Sequence, residues 1–144
     1  MLNVSIVLYR PDWEQVSALT HALLQSQRVN RVYWIDNSPR AAEQLPLQSE
    51  RIQYQHNPTN LGYGAAHNIA IRESIYDNIP FHLVINPDII LDSKELDRML
   101  DFVSQNPLVG SLMPKVTYPN GQLQYLCKLL PTPLDVFGRR FLPA

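Results

Sequence analysis

Four short apolar runs alternate with helical patterns along this chain, and each run stops at a polar or glycine-rich cluster. No other feature restricts the fold as much. Residues 4–9 form a short run rich in β-branched side chains and read as a buried strand. Arg10-Pro11-Asp12 ends it, and Asp12 is placed to cap a helix that starts at Trp13. Trp13, Val16, Leu19, Leu23 and Leu24 then share one helical face, and Asn30 is expected to close that helical region. Residues 31–36 are a second strand, stopped by the turn signal Asp36-Asn37-Ser38-Pro39. Residues 40–50 fit no single pattern. A short third strand is expected over 51–55, followed by a loop through Asn60. The segment 61–75 opens with two glycines and continues as a helix through Ala65, Ala66, Ile69, Ala70 and Ile71. Residues 81–85 are a fourth strand, apolar except for His82, and Asn86-Pro87-Asp88 terminates it. Asp92 and Glu95 resemble a capping box before a helix over 93–104, with Leu96, Met99, Leu100 and Val103 inward. Beyond it, 109–113 and 115–118 read as extended, Pro119-Asn120-Gly121 as a turn, and 122–127 as a strand pairing back. This order predicts an α/β fold: a mainly parallel open sheet with helices on both faces.

The 144 residues suit one compact domain, expected over 1–127, with an irregular segment over 128–144. Pro114, Pro119, Pro131 and Pro133 argue against long helices in the last third. The composition, 45% apolar and 17% charged, is that of a globular protein and excludes a disordered one. A net charge of -1, with Arg139-Arg140 the one basic run, gives no footprint for a nucleic acid. A lone cysteine, Cys127, has no internal disulfide partner and fits a reducing compartment. The first residues lack the basic start and small-residue cleavage site of a signal peptide. The expected location is cytoplasmic, with peripheral contact at the inner membrane face left open.

In an open α/β sheet, ligands bind beyond the carboxyl ends of the strands. Here those ends are Tyr9-Arg10-Pro11-Asp12, Asp36-Asn37-Ser38, the loop through Asn60-Leu61-Gly62-Tyr63-Gly64, and Asn86-Pro87-Asp88. Their convergence on one edge outweighs any one of them. Asp36 is placed to accept from a nucleobase N–H or a ribose hydroxyl, and equally to cap its own turn. The glycines of 60–64 let backbone approach a ligand, and the helix that follows favours an anion at its start. The spacing is not that of a dinucleotide fingerprint or a P-loop, and a tight strand-to-helix connection explains it as well. Asn86-Pro87-Asp88 is the sharpest local feature. A carboxylate ending a buried strand is costly unless something pairs with it, and a magnesium or manganese ion bridging diphosphate oxygens would do so. An ordinary turn is the alternative. No histidine has metal-ligand spacing to another His or Cys. His21 reads as a helix-surface residue and His82 as a strand residue facing a neighbour. His67, one turn into the glycine-led helix, is within reach of a phosphate.

The ordered pieces together resemble glycosyltransferase family two, in particular its rhamnosyltransferase-like branch in cell-surface polysaccharide synthesis. The residues that carry the resemblance are Val4-Ser5-Ile6-Val7-Leu8-Tyr9, Ile35-Asp36-Asn37-Ser38, Asn57-Pro58-Thr59-Asn60-Leu61-Gly62-Tyr63-Gly64-Ala65-Ala66-His67-Asn68 and Leu83-Val84-Ile85-Asn86-Pro87-Asp88. Val109-Gly110-Ser111-Leu112-Met113-Pro114-Lys115 and Tyr118-Pro119-Asn120-Gly121 are similar too. The resemblance implies the Rossmann-like nucleotide-binding half of a GT-A fold and an inverting transfer from a nucleotide-sugar donor carrying dTDP or UDP. The acceptor would be a saccharide or lipid-linked. It also implies roles. Tyr9 and Asp36 would contact base and ribose. Asn60, Gly62 and Asn68 would shape the nucleotide pocket. Asn86-Pro87-Asp88 would stand in for the family's Asp-x-Asp, with Asp88 as ligand of Mg2+ or Mn2+ and Asn86 making an amide contact in place of a carboxylate one. Arg10 stands where the family often has Asn. The family's acidic general base, in a Glu-Asp context ahead of Asp-Leu-x-x-Arg, has no match after residue 100. The chain is therefore expected to be the donor-binding part of a longer enzyme.

Two other readings stay open. One is a non-catalytic structural or interaction domain that keeps this fold, favoured by Asn86 and by the unusual C-terminal region. The other is a nucleotidyltransferase, which needs a glycine-rich loop with a basic residue after the first strand; Tyr9-Arg10-Pro11-Asp12 has no glycine. The apolar residues between Leu129 and Leu142 predict a homo-oligomer.

Overall fold

The computed structural model describes residues 1–124 and resolves into two compact units, Met1–Pro107 and Leu108–Ala144. In the first, the order is β1 (Leu2–Leu8), α1 (Trp13–Gln25), β2 (Val29–Asp36), β3 (Ile52–His56), α2 (Tyr63–Tyr76), β4 (Phe81–Ile85) and α3 (Ser93–Gln105). The four strands form one sheet in the order β3-β2-β1-β4, and every pair is parallel. Parallel neighbours need crossovers; α1 supplies the one from β1 to β2 and α2 the one from β3 to β4, on opposite faces, while residues 37–51 link β2 to β3 without a helix. Leu8 lies opposite Asp36, Asp36 opposite His56, and Ile6 opposite Ile85, so the carboxyl ends of all four strands meet along one rim.

β1 shows how one strand serves two faces. Its even residues Leu2, Val4, Ile6 and Leu8 are buried with Val16, Leu19 and Leu23 of α1, Val32 and Trp34 of β2, and Leu96 and Leu100 of α3. Trp34 also donates from Nε1 to Thr20 Oγ1 at 3.1 Å, so its one polar atom is satisfied within that core. On the opposite face α2 packs Ala66 and Ala70 against Tyr33 and Ile35, and the small alanines let the helix lie close to the strands.

The helix boundaries follow from their caps. Asp12 accepts from the backbone N–H of Glu14 and Gln15. α1 ends at Ser26, not at Asn30, because the chain must already be extended at Val29 to pair with Leu2; Asn30 belongs to β2. Arg51 fixes that end by donating to the carbonyl oxygens of Leu24, Ser26 and Val29. α2 begins at Tyr63 because Gly62 takes φ +80, a conformation that closes off any earlier helical turn. Asp92 caps α3 through Lys94, while Glu95 turns to Arg98 instead of closing the reciprocal bond. In the second unit, the described residues form a turn over Tyr118–Gly121 with an antiparallel bridge between Thr117 and Leu123. No helix occurs among its described residues, as the prolines predict. Cys127, Arg139, Arg140 and the apolar residues from Leu129 onward lie outside the described residues.

Candidate functional site

The rim at the strand carboxyl ends gathers two groups of side chains. The first surrounds Asp36, which closes β2 in a buried position. One of its oxygens accepts from the Ser38 backbone N–H at 2.8 Å and the other from the Tyr54 hydroxyl at 2.7 Å. Tyr54 in turn accepts from the Ala42 N–H at 3.0 Å, which ties the 40–50 loop to β3. Burial and the nearby Asp36 carboxylate both push the Tyr54 phenol above its ordinary value, burial being the larger cause. A concavity of about 610 Å³ opens here, bordered by Arg10, Trp13, Asp36, Ser38 and Arg40. Arg10 sits at φ +49 with its N–H on Ser38 Oγ, 2.7 Å away, and its guanidinium lies 5.6 Å from the exposed Tyr9 ring. Two cationic side chains thus edge a pocket floored by a carboxylate.

The second group lies at the ends of β4 and α2. Asn86 and Asp88 are both exposed. The expectation of a costly buried carboxylate at Asp88 is thereby corrected: β4 ends at Ile85, three residues before Asp88, and the turn lifts Asp88 into solvent. Among the described residues no hydrogen bond or ion pair engages Asp88, and no group of three His, Cys, Asp or Glu side chains converges to hold a metal. A cation at Asp88 would need its remaining ligands from a bound diphosphate and water, an arrangement ordinary for magnesium. Tyr63, the first residue of α2, joins this group: its hydroxyl donates to Asn86 Oδ1 at 2.9 Å. Its phenol is pushed up by burial first and by the Asp88 charge second, which places that charge close by.

The loop between these groups is held by amides. Asn57, buried, donates to Asn37 Oδ1 at 2.8 Å, and Asn37 reaches the Gly62 carbonyl oxygen at 3.4 Å. Asn60 accepts from the Gly62 N–H at 2.8 Å and so shapes the entry to α2 with its own side chain. The two glycines differ. Gly62 is needed for its positive φ, whereas Gly64 has nothing within 4 Å of where a Cβ would stand. The fold itself gives no reason for glycine at 64. Asn68 is exposed on α2.

His67 is not on the rim surface. It is buried against the sheet with Nδ1 2.7 Å from Ser5 Oγ, and burial lowers its pKa to about 4. His82 faces the neighbours its position predicted, with Nε2 2.8 Å from the same Ser5 oxygen and Nδ1 2.7 Å from Ser74 Oγ; burial and His67 lower it to about 4 as well. His21 is on the exposed face of α1. The sequence reading missed Tyr54, Tyr63, Asn37 and Ser38 as site residues. Asn37, Ser38 and Tyr63 stood inside the quoted motifs, but only contact partners distant in sequence reveal what they hold.

A second concavity of about 430 Å³ runs beside Asp88 between the start of α1 and the Pro87–Leu91 segment, with Asp12, Glu14, Leu19 and Ile90 on its walls. Among the described residues no helix is long and apolar enough to cross a membrane.

Comparisons with known proteins agree with this architecture. No curated protein matches the chain. The crystal structure of S. aureus TarS 1-349 superposes with a TM-score of 0.54 at 15% identity, over 79% of this chain and 38% of that one. A crystal structure of S. aureus TarS gives 0.56 at 15% identity, over 78% and 23%. This chain therefore spans well under half the length of those neighbours, and at such identity they speak for the fold, which is GT-A-like. Residues 32–130, more than half of the sequence, match the model of the family described as Glycosyl transferase family 2. The chain belongs to glycosyl transferase family 2.

Proposed function

We propose that this chain is the donor-binding part of an inverting glycosyltransferase that takes a sugar linked to UDP or dTDP. The observation that carries the reading is the meeting, on one rim, of the Asp36 pocket with the Tyr63–Asn86–Asp88 group. The pocket's polar edge suits a pyrimidine base. Asp36 accepts, as an imide N–H requires, and Arg10 and Arg40 donate, as the flanking carbonyls require. Tyr9 offers an exposed ring beside it. Asn60, Gly62 and Asn68 border the path from that pocket to the start of α2, where backbone N–H groups lie free for an anion. Gly64 leaves room for a phosphate to approach the backbone. Asp88 is the one carboxylate of the rim not already engaged by described residues. A magnesium or manganese ion held there would neutralise the departing diphosphate. Asn86 makes an amide contact in place of the family's first acid. The acceptor, by family, is a saccharide or a lipid-linked saccharide of a cell-surface polymer, and the rhamnosyltransferase-like branch is the one its motifs resemble. No described residue is assigned as general base.

Titration calorimetry of the purified chain with UDP and with dTDP, with and without manganese, tests this. The expected result is manganese-dependent binding that Asp88→Ala reduces at least tenfold. Binding that ignores manganese and survives Asp88→Ala would remove Asp88 from the site. A second reading is a GT-A-like interaction domain that binds no donor. The observation in its favour is that both Asp36 oxygens already accept hydrogen bonds within the fold. Absence of heat with every nucleotide would select it.

A further inference from the structure

The face of the sheet beneath α2 carries a run of polar side chains that none of the assigned roles uses. Asn3 and Ser5 of β1 are both fully buried there. Asn30 donates to Asn3 Oδ1 at 2.9 Å, and Asn3 donates from Nδ2 to Ser74 Oγ at 3.0 Å. From Ser74 the contacts continue through His82 to Ser5 and on to His67, each between 2.7 and 2.8 Å. The run ends at His67 Nε2, which is buried and has no hydrogen-bond partner among the described residues. Against that ring stands Tyr63, edge to face, with centroids 4.3 Å apart and planes at 73°. The Tyr63 hydroxyl then reaches Asn86 Oδ1 on the rim.

Two arrangements fill every contact and use every serine proton. Each serine hydroxyl has one proton, and each neutral imidazole has one N–H. In the first arrangement Ser74 donates to the Ala70 carbonyl oxygen, 3.1 Å away. His82 then donates from Nδ1 to Ser74, Ser5 donates to His82, and His67 donates from Nδ1 to Ser5. His67 Nε2 is left as a bare lone pair, buried and without a partner among the described residues. In the second, Ser74 donates to His82 Nδ1, His82 donates from Nε2 to Ser5, and Ser5 donates to His67 Nδ1. His67 then carries its proton on Nε2. An N–H meets a ring face favourably and a lone pair does not. Successive bonds point the same way in both arrangements, so the environment of His67 Nε2 decides between them.

We infer that the chain of hydrogen bonds runs in one direction from Asn3 to His67, that His67 presents Nε2–H to the Tyr63 ring, and that Tyr63 so held fixes the Asn86 side chain with its NH2 turned toward the ligand. Tyr63 and His67 are then positioning residues. Their effect is chemical: with Oδ1 turned to the Tyr63 hydroxyl, Asn86 presents its NH2 donors outward. It recognises an oxygen acceptor, such as a ribose or phosphate oxygen, where an aspartate would require a hydroxyl donor. The identity of that ligand rests on the donor-site reading above; the direction of the chain does not.

Long-range ¹H–¹⁵N correlation spectra of the imidazoles at pH 7, recorded on the ligand-free protein, read the tautomers directly. Both His67 and His82 are expected as Nε2–H. Tyr63→Phe, which keeps the ring and drops the hydroxyl, should leave both tautomers unchanged, shift the Asn86 side-chain amide signals and weaken UDP binding about fivefold. Tyr63→Leu, which removes the ring without touching the sheet, should shift the His67 Nε2–H signal and bring in the Nδ1–H form. An Nδ1–H His67 in the wild-type protein overturns the inference, as do Asn86 amide signals that ignore Tyr63→Phe. Failure of the wild-type chain to bind UDP or dTDP, with both rings as Nε2–H, overturns the donor reading and upholds the chain's direction.

Discussion

The two faces of the sheet solve the same packing problem in different ways. Under α1 and α3 the contacts are apolar save for the Trp34–Thr20 hydrogen bond: Leu2, Val4, Ile6 and Leu8 of β1 meet leucine, valine and tryptophan. Under α2 the alternate residues of the same strand are Asn3 and Ser5, and their partners are Ser74, His67 and His82. The first arrangement is tolerant, since any apolar side chain of similar volume keeps most of its energy. The second is directional, because each group must find a particular partner or lose more than it gains. The apolar face therefore carries stability and the polar face carries position, and the polar face is the one whose helix begins at the candidate donor site.

The comparison breaks most clearly at Trp34. Trp34→Ala removes the largest side chain of the apolar face and leaves Thr20 Oγ1 without its donor. Expected destabilisation is about 3–5 kcal/mol, read from the urea midpoint at constant slope. A loss under about 1 kcal/mol would mean that this face repacks freely and is not the main source of stability.

Acid should act on the other face. Folded His67 and His82 titrate near pH 4 against an ordinary value of 6.5. Between those values the unfolded chain takes up protons that the folded chain refuses, so stability is complete above about pH 6.5 and falls as the pH drops toward 4. For His67 the full loss is about 3 kcal/mol, with a smaller share from the less buried His82. Urea midpoints measured from pH 7 to pH 4.5 should follow this slope, and the His67→Gln, His82→Gln double variant should flatten it. An unchanged slope in the double variant would place the acid sensitivity elsewhere.

Ser5→Ala tests the same face without a charge. It strips two buried imidazole nitrogens of their shared partner, for an expected cost of about 1–3 kcal/mol despite the loss of a single oxygen. Val4, next in sequence and on the opposite face, offers the contrast: Val4→Ala costs only transfer and cavity terms, and restoring volume with Ile should recover most of the loss, whereas Ser5→Val should recover none.

This contrast also marks how far the sequence could be read. The fourth strand was legible to the residue, because an apolar run between Pro80 and Asn86 leaves little choice. Caps at Asp12 and Asp92 were legible because the capping chemistry is local. The start of β1 at Leu2 was not, since the pairing of Leu2 with Val29 decides it. The polar face was invisible for the same reason on a larger scale. Ser5 stands 62 residues from His67 and 77 from His82, and no periodicity reports which buried polar groups will meet. At the candidate site the residue types and order were readable, including Asp36, Asn60 and Asn86-Pro87-Asp88. What each one touches was not: Asp36 holds Tyr54, Asn60 holds Gly62, and Tyr63 rather than a carboxylate governs Asn86.

The smallest expected effect, at Gly64, belongs to a pair of glycines at the seam between stability and site. Gly62 holds φ +80 and ψ 167, a region that side chains other than glycine reach only under strain. Gly62→Ala should cost about 1–3 kcal/mol. Gly64 lies in the first turn of α2 with open space around it. There alanine relieves the unfolded chain of freedom at no steric cost, so Gly64→Ala should stabilise the protein by about 0.5–1 kcal/mol. Opposite signs two residues apart would show that one glycine serves the fold and the other does not. The second then needs another reason to be glycine. If a diphosphate approaches the backbone at this turn, the added methyl group stands in its way, and Gly64→Ala should weaken UDP binding while raising the urea midpoint. A variant that is more stable and binds UDP undiminished would move the diphosphate away from the start of α2 and leave the donor site to Asp36, Asn86 and Asp88.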